Sequence, residues 1–238
     1  MLLHGRFLKE KRIMDVKKIQ RILEQLADVN EQLVSLSDDI WLGIDHRDNE
    51  SIIEGSQFIQ DYNLATSQLS KAAATVELQL LTYFKNDIES VQPVIEHGND
   101  DTIKNQRMIK ELDRSKAYSL NDNFTYKRPY GFVLKGIAYT NITTWKAVYL
   151  KVLHALYKES PAAFSALVTD KRFISKRGNP LFTKDPKKLR VAQSLPAGFY
   201  TEVNMSANSI KDTLLQILAY FSIDEKEMKI YLREDRDA

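Results

Sequence analysis

The chain has 238 residues, with 34 Lys or Arg against 32 Asp or Glu, and no cysteine. Without thiols, disulfides, thiol catalysis and Cys-ligated zinc or iron–sulfur centres are excluded, and 43% hydrophobic and 10% aromatic content excludes global disorder. No apolar run approaches the roughly 20 residues of a membrane span, and Met1 to Met14 has neither the apolar centre nor the cleavage site of a secretory signal. The expected setting is therefore a reducing cytoplasm, with no membrane partner.

The small net charge conceals a division. Residues 1–123 hold 15 Lys/Arg and 21 Asp/Glu, whereas residues 124–238 hold 19 and 11. An acidic half followed by a basic half predicts two parts with separate work.

Residues 1–13 read as a leader outside the native protein. Lys9-Glu10 can be encoded by a ribosome-binding sequence suitably spaced before Met14, so translation is expected to begin at Met14. Residues 15–42 form an amphipathic helix, with Val16, Ile19, Leu23, Leu26, Leu33 and Ile40 at a and d of a heptad and Asn30 and Ser37 at the remaining a positions. Ile22, Val29 and Leu36, one residue before a, widen the stripe. Asn30 either fixes register and partner number or is a hydrogen-bonded interior amide.

Gly43 to Asn49 is a polar break. Gly43 is placed to end the first helix in a left-handed cap, and Asp48 or Asn49 to cap the second. That second helix, about 50–85, repeats Ile52, Gly55, Ile59, Tyr62, Thr66, Leu69, Ala73, Val76, Leu80 and Tyr83 at heptad spacing. The short connection makes residues 14–90 an antiparallel, coiled-coil-like helical hairpin. Its far end, with Leu78, Leu80, Leu81, Tyr83 and Phe84, has no cover within the hairpin. The prediction is homo-oligomerisation through residues 15–85, most simply a dimer forming a four-helix bundle, with burial by the C-terminal half as the alternative.

Residues 91–123 read as a linker containing a short helix near Thr102 to Ser115. From residue 124 the pattern becomes that of a small basic α+β domain. A hairpin is expected at Tyr130–Leu134 and Ile137–Ile142 around Lys135-Gly136. A helix capped by Thr143 or Thr144 runs to about Tyr157, and a short one follows Pro161. A strand at Gly198–Val203, a helix opened by Ser206 and a final strand at Met228–Leu232 complete it. The fold class is thus α+β.

The most cationic stretch is Lys171 to Arg190. It carries Lys171, Arg172, Lys176, Arg177, Lys184, Lys187, Lys188 and Arg190 against Asp185 alone, and reads as two short strands around Arg177-Gly178-Asn179-Pro180. From Lys127 to Arg190 there are 14 Lys/Arg and three acids. Such a surface suits phosphate backbones, which bind it through counterion release, and the eight cations are the expected contacts to DNA or RNA. Phe173, Phe182 and Tyr200 are either stacking platforms or core. The basic patch itself is open to other readings: a solvated strand edge, an acidic protein partner, or a surface complementary to the chain's own acidic half.

The turn before the last helix is a second candidate. Ser206, Asn208 and Ser209 at a helix start form a possible phosphate site, or simply a cap. The four histidines have no metal-ligand spacing, and no glycine-rich nucleotide loop or Ser-His-Asp arrangement is present. Glu202 is the lone acid on a predicted central strand. The expectation is a non-enzymatic protein without cofactor.

The pattern of Phe132, Trp145, Tyr200 and Ser206-Ala207-Asn208 is similar to a small C-terminal domain of unknown function in bacterial mobile-element and restriction-associated proteins. That resemblance implies a nucleic-acid context and carries no functional residues with it. The leading expectation is a nucleic-acid-binding protein that self-associates through its hairpin. The alternative is a scaffold whose basic face meets an acidic protein.

Overall fold

Heptad spacing in the first half produces two long helices, α1 (Leu2–Gly43) and α2 (Asn49–Tyr83), packed antiparallel. The computed structural model describes residues 2–84, 102–175 and 178–233, with side chains from Val16 onward except Lys17. The chain reverses over five residues. Asp48 caps α2 by accepting the Ser51 N–H at 2.9 Å. Gly43 stays within α1 and is not in the left-handed cap expected of it. Ile44 instead closes the turn by lying over Gly55, where an added Cβ would sit 2.5 Å from its Cδ1. Two polar links fix the register: Tyr62 donates to the Leu33 carbonyl at 2.8 Å and Ser37 to Asn63 at 2.8 Å.

The second half is α+β, as its patterning predicts. Strands β1 (Ala117–Tyr118), β2 (Pro129–Leu134), β3 (Ile137–Thr140) and β7 (Met228–Leu232) form an antiparallel sheet in the order β1-β7-β2-β3. The last strand of the chain therefore lies in the middle of the sheet. Lys135 (φ 50°) and Gly136 (φ 72°) make the tight β2–β3 turn, the left-handed pair that a two-residue hairpin demands.

Period-two alternation assigns the two faces. Phe132, Leu134, Tyr139, Met228 and Ile230 point into the main core. Val133, Ala138 and Tyr231 point the other way, onto Met108 and Leu112 of α3 (Thr102–Leu112). This helix and β1 come from the stretch read as a linker. Asn105 of α3 accepts the Ala138 N–H at 2.9 Å and donates to the Gly136 carbonyl at 2.7 Å.

On the core face lie α4 (Trp145–Glu159) and α6 (Ala207–Tyr220), with the short α5 (Pro161–Ala166) beside α4. Thr144 caps α4 through the Ala147 N–H, and Ser206 caps α6 through the Ser209 N–H. A second sheet, in the order β4 (Phe182–Thr183), β6 (Phe199–Glu202), β5 (Ala192–Leu195), closes the domain. Tyr149 of α4, fully buried, joins the layers through its hydroxyl, 2.7 Å from that of Thr201 on β6.

The stretch 171–190 departs from the two strands expected. It begins with a 3-10 turn, Lys171–Phe173, nucleated by Asp170 accepting the Arg172 N–H. A single bridge then joins Ile174 to Pro180. The Ser175 N–H bonds the Asn179 carbonyl and the Leu181 N–H the Phe173 carbonyl, both at 2.8 Å, on either side of this bridge, and Phe182–Thr183 then pairs with β6. Lys176 and Arg177 lie outside the described residues.

Candidate nucleic-acid interface

Six of the eight expected cations are described, and all six are exposed. They fall into two groups. Arg172 and Arg190 are engaged. Arg172 makes a bidentate pair with Asp170, at 3.0 and 2.7 Å, and its guanidinium lies 4.7 Å above the Tyr220 ring. This pairing holds the Asp170 carboxyl down at about 2. Arg190 approaches Glu202 at 3.7 Å and donates to the Asn204 carbonyl at 3.2 Å.

Lys171, Lys184, Lys187 and Lys188 form the second group, and none makes an ion pair among the described residues. Asp185, the one acid in the stretch, accepts the Lys187 backbone N–H at 3.0 Å and so caps the Pro186–Lys188 turn. Lys184 alone has a ring contact, 5.6 Å from the Phe199 centroid. Phe173 and Phe182 are buried against each other at 5.5 Å and belong to the core, so they offer no stacking platform.

The possible phosphate site at the start of α6 has a protein carboxylate in it. Ser206 is 1% exposed and its hydroxyl donates to Asp38 of α1 at 2.9 Å. The Ser209 N–H turns to Ser206 Oγ at 3.2 Å. Asn208 accepts the Phe124 N–H at 2.9 Å and donates to Asn123 and Thr125 at 2.9 and 2.7 Å. These three residues thus tie the helix start to the hairpin and to the 123–125 turn.

The start of α4 is occupied in the same way. Glu31 accepts the Lys146 N–H at 2.9 Å. Burial pushes its carboxyl up to about 7, even though the N–H groups of Lys146 and Trp145 favour the charged form. Asp28 pairs with Arg128 at 2.5 Å, and Asp39 accepts the Tyr126 hydroxyl at 2.7 Å. From α2, Glu77 meets the Lys146 ammonium at 3.4 Å. Ser70 lies within hydrogen-bonding distance of both Asn30 and Asn204. The Ser70 hydroxyl also lies 2.9 Å from the Thr66 carbonyl of its own helix, so three oxygens surround its single proton. Asn30 is thereby an interior amide in a polar cluster.

Sequence reading did not single out these carboxylates. Their signal was present: Asp28 and Ser35 occupy f positions, Glu31 and Asp38 b positions, of the heptad that places Leu23 and Leu26 at a and d. A buried Ser35, 5% exposed, marks this outer face as covered. Three faces of α1 therefore do three things. The a/d face packs on α2, the b/f face docks on the C-terminal domain, and the preceding stripe of Ile22, Val29 and Leu36 remains exposed.

Glu202 has a structural occupation. Its carboxylate accepts the N–H groups of Arg190, Val191 and Asn204 at 2.7, 3.1 and 2.8 Å, binding β6 to the segment before β5. Among the described residues, no three His, Asp or Glu side chains converge on a metal-sized site, and no helix is long and apolar enough to cross a membrane. Comparison of the chain with protein-family models, curated proteins and solved structures finds no match.

Proposed function

We propose that this chain binds nucleic acid through phosphate contacts from its C-terminal domain, presented by a self-associating helical hairpin. One observation carries the reading. Lys171, Lys184, Lys187 and Lys188 are exposed on an ordered segment with no acid neutralising them among the described residues. Unpaired lysines on a folded edge attract phosphates as point charges, and their affinity derives largely from released counterions. Dimerisation through the exposed stripe of α1 would double this surface and add avidity.

The test is binding of a generic duplex and a single strand across salt concentrations, wild type against the combined Lys184→Glu, Lys187→Glu, Lys188→Glu variant. The variant is expected to lose affinity on both substrates, with a salt slope shallower by about one per phosphate contact removed. Wild type that binds neither substrate at low salt refutes the reading.

A second reading has its own support. The domain already receives carboxylates from the chain's own hairpin at Lys146, Ser206, Tyr126 and Arg128. A scaffold whose remaining basic face meets an acidic protein is the function left standing if the salt titration fails.

A further inference from the structure

A groove of about 360 Å³ lies between the β2–β3 turn and the outer face of α4, away from the hairpin contacts. Lys151, His154 and Lys158 line one wall, one above another at the i, i+3, i+7 spacing of a helical stripe. Lys135 closes the end, and Ile137 and Tyr139 form an apolar floor. Tyr139 is held flat by stacking on Phe132, with centroids 4.5 Å apart and planes 14° from parallel.

The charge in this groove does not balance. Glu159 is the one acid lining it among the described residues, and Lys135 binds it. Lys151 and Lys158 make no ion pair among the described residues. Lys151 is half-buried, and both that burial and the neighbouring Lys158 disfavour its ammonium form. The negative end of α4 accounts for Lys158, which lies in the last turn. It does not account for Lys151, two turns earlier, because the helix dipole acts only within the final turn. Two ammonium groups beside an apolar floor, one of them partly desolvated, therefore lack an anion. Perturbed and unneutralised groups in a concave site are a mark of ligand binding.

We propose that this groove binds a mononucleotide, with its phosphate on Lys151 and Lys158 and its base against Ile137 and Ala155. The cations need a compact anion with several acceptor oxygens, which phosphate supplies. Ile137 and Ala155, both half-buried, leave apolar surface beside these cations for a planar body. The volume falls at the small-ligand end of the roughly 300–1,000 Å³ typical of such sites. The inference does not rest on the unpaired lysines of residues 171–188, and the variants separate the two surfaces.

The experiment is isothermal titration of the full chain with adenosine 5′-monophosphate, adenosine and inorganic phosphate. The monophosphate is expected to bind, with adenosine and phosphate each weaker by about tenfold or more, since each lacks one half of the site. Lys151→Gln with Lys158→Gln should weaken the monophosphate by about tenfold or more. Lys151→Arg with Lys158→Arg, which keeps both charges, should restore most of it, and Lys184→Glu with Lys187→Glu and Lys188→Glu should leave it unchanged. No binding of the monophosphate to wild type at millimolar concentration overturns the proposal, as does equal binding by the glutamine variant. Competition by a 5′-phosphorylated oligonucleotide, but not by its unphosphorylated form, assigns the ligand to a strand end; absence of competition assigns it to the free nucleotide.

Discussion

The Glu31 carboxylate of α1 accepts the Lys146 N–H of α4 at 2.9 Å, so a residue of the hairpin serves the first turn of a helix in the other half of the chain. The contact is enclosed, with Asp28 as a neighbouring like charge and Lys146 as the opposite one. Removal from water dominates, and the carboxyl rises from its ordinary value of 4.5 to about 7. A group whose pKa is raised on folding stabilises fully below its unfolded value and loses that contribution as pH climbs through the folded one. Docking of the hairpin should therefore weaken between about pH 4.5 and 7, by roughly 2–4 kcal/mol at 1.36 kcal/mol per unit. Urea midpoints at pH 5 and pH 8 check this: Glu31→Gln should lose less stability than wild type over that interval. A variant that tracks wild type at both pH values removes Glu31 from the account.

Ser206 has two partners at once, the Ser209 N–H as a cap and Asp38 as an acceptor. Ser206→Ala should destabilise by about 1–2 kcal/mol, the upper part of the range for a lost cap, because a contact between the two halves goes with it. In a double-mutant cycle with Asp38→Asn, coupling of about 0.5 kcal/mol or more is the expected result for directly bonded residues. Denaturant titrations of the four proteins give the value, and additive effects would show that the pair contributes nothing as a pair.

Gly131 sits where β2, β3 and α3 meet. An added Cβ would lie 2.6 Å from the Tyr139 carbonyl oxygen and 2.9 Å from Leu112 Cδ2. The first of these is backbone within a paired strand and has no rotamer to yield. Gly131→Ala should cost about 1–3 kcal/mol, the range for overpacking a core, and thermal denaturation should show a clear fall in Tm. Gly55→Ala should also destabilise, since the added Cβ would lie 2.5, 2.6 and 3.2 Å from Ile44 Cδ1, Cγ1 and Cγ2, and this β-branched side chain must shift as a whole.

The exposed stripe on α1 bears on assembly. Ile22, Val29 and Leu36 recur every seven residues and are 49%, 48% and 38% exposed, although the C-terminal domain already covers the adjacent face. Light scattering of the full chain is expected to show concentration-dependent dimers. Val29→Glu with Leu36→Glu should yield a monomer with unchanged helical circular dichroism. A wild-type monomer at high concentration would leave the stripe without this role.

Much of the fold was legible because local patterns dictate it. The heptads of residues 15–85 specify the helical hairpin, the Lys135-Gly136 turn between two short apolar runs specifies β2 and β3, alternation specifies β7, and Asp48, Thr144 and Ser206 cap the helices that their positions announce. The cations of residues 171–190 were equally plain as a composition. Their pairing was not, because whether a lysine is free depends on which acid the fold brings near it: Arg172 found Asp170 two residues away, Arg190 found Glu202 across a sheet, and the Lys187 and Lys188 ammonium groups meet no carboxylate among the described residues.

By itself the sequence determined the long helices, the β2–β3 hairpin, β6, β7 and the division of charge, since these follow from spacing and side-chain type along one segment, whereas β1 and the path of residues 171–190 do not. Only the tertiary structure decided where the halves meet. Asp28, Glu31 and Asp38 look like ordinary solvated positions of an amphipathic helix, and the groove walled by Lys151, His154 and Lys158 looks like its polar face. Both gain meaning from desolvation. An acid or ammonium costs little in water and several kcal/mol when a second surface removes that water, and no local pattern records the arrival of that second surface.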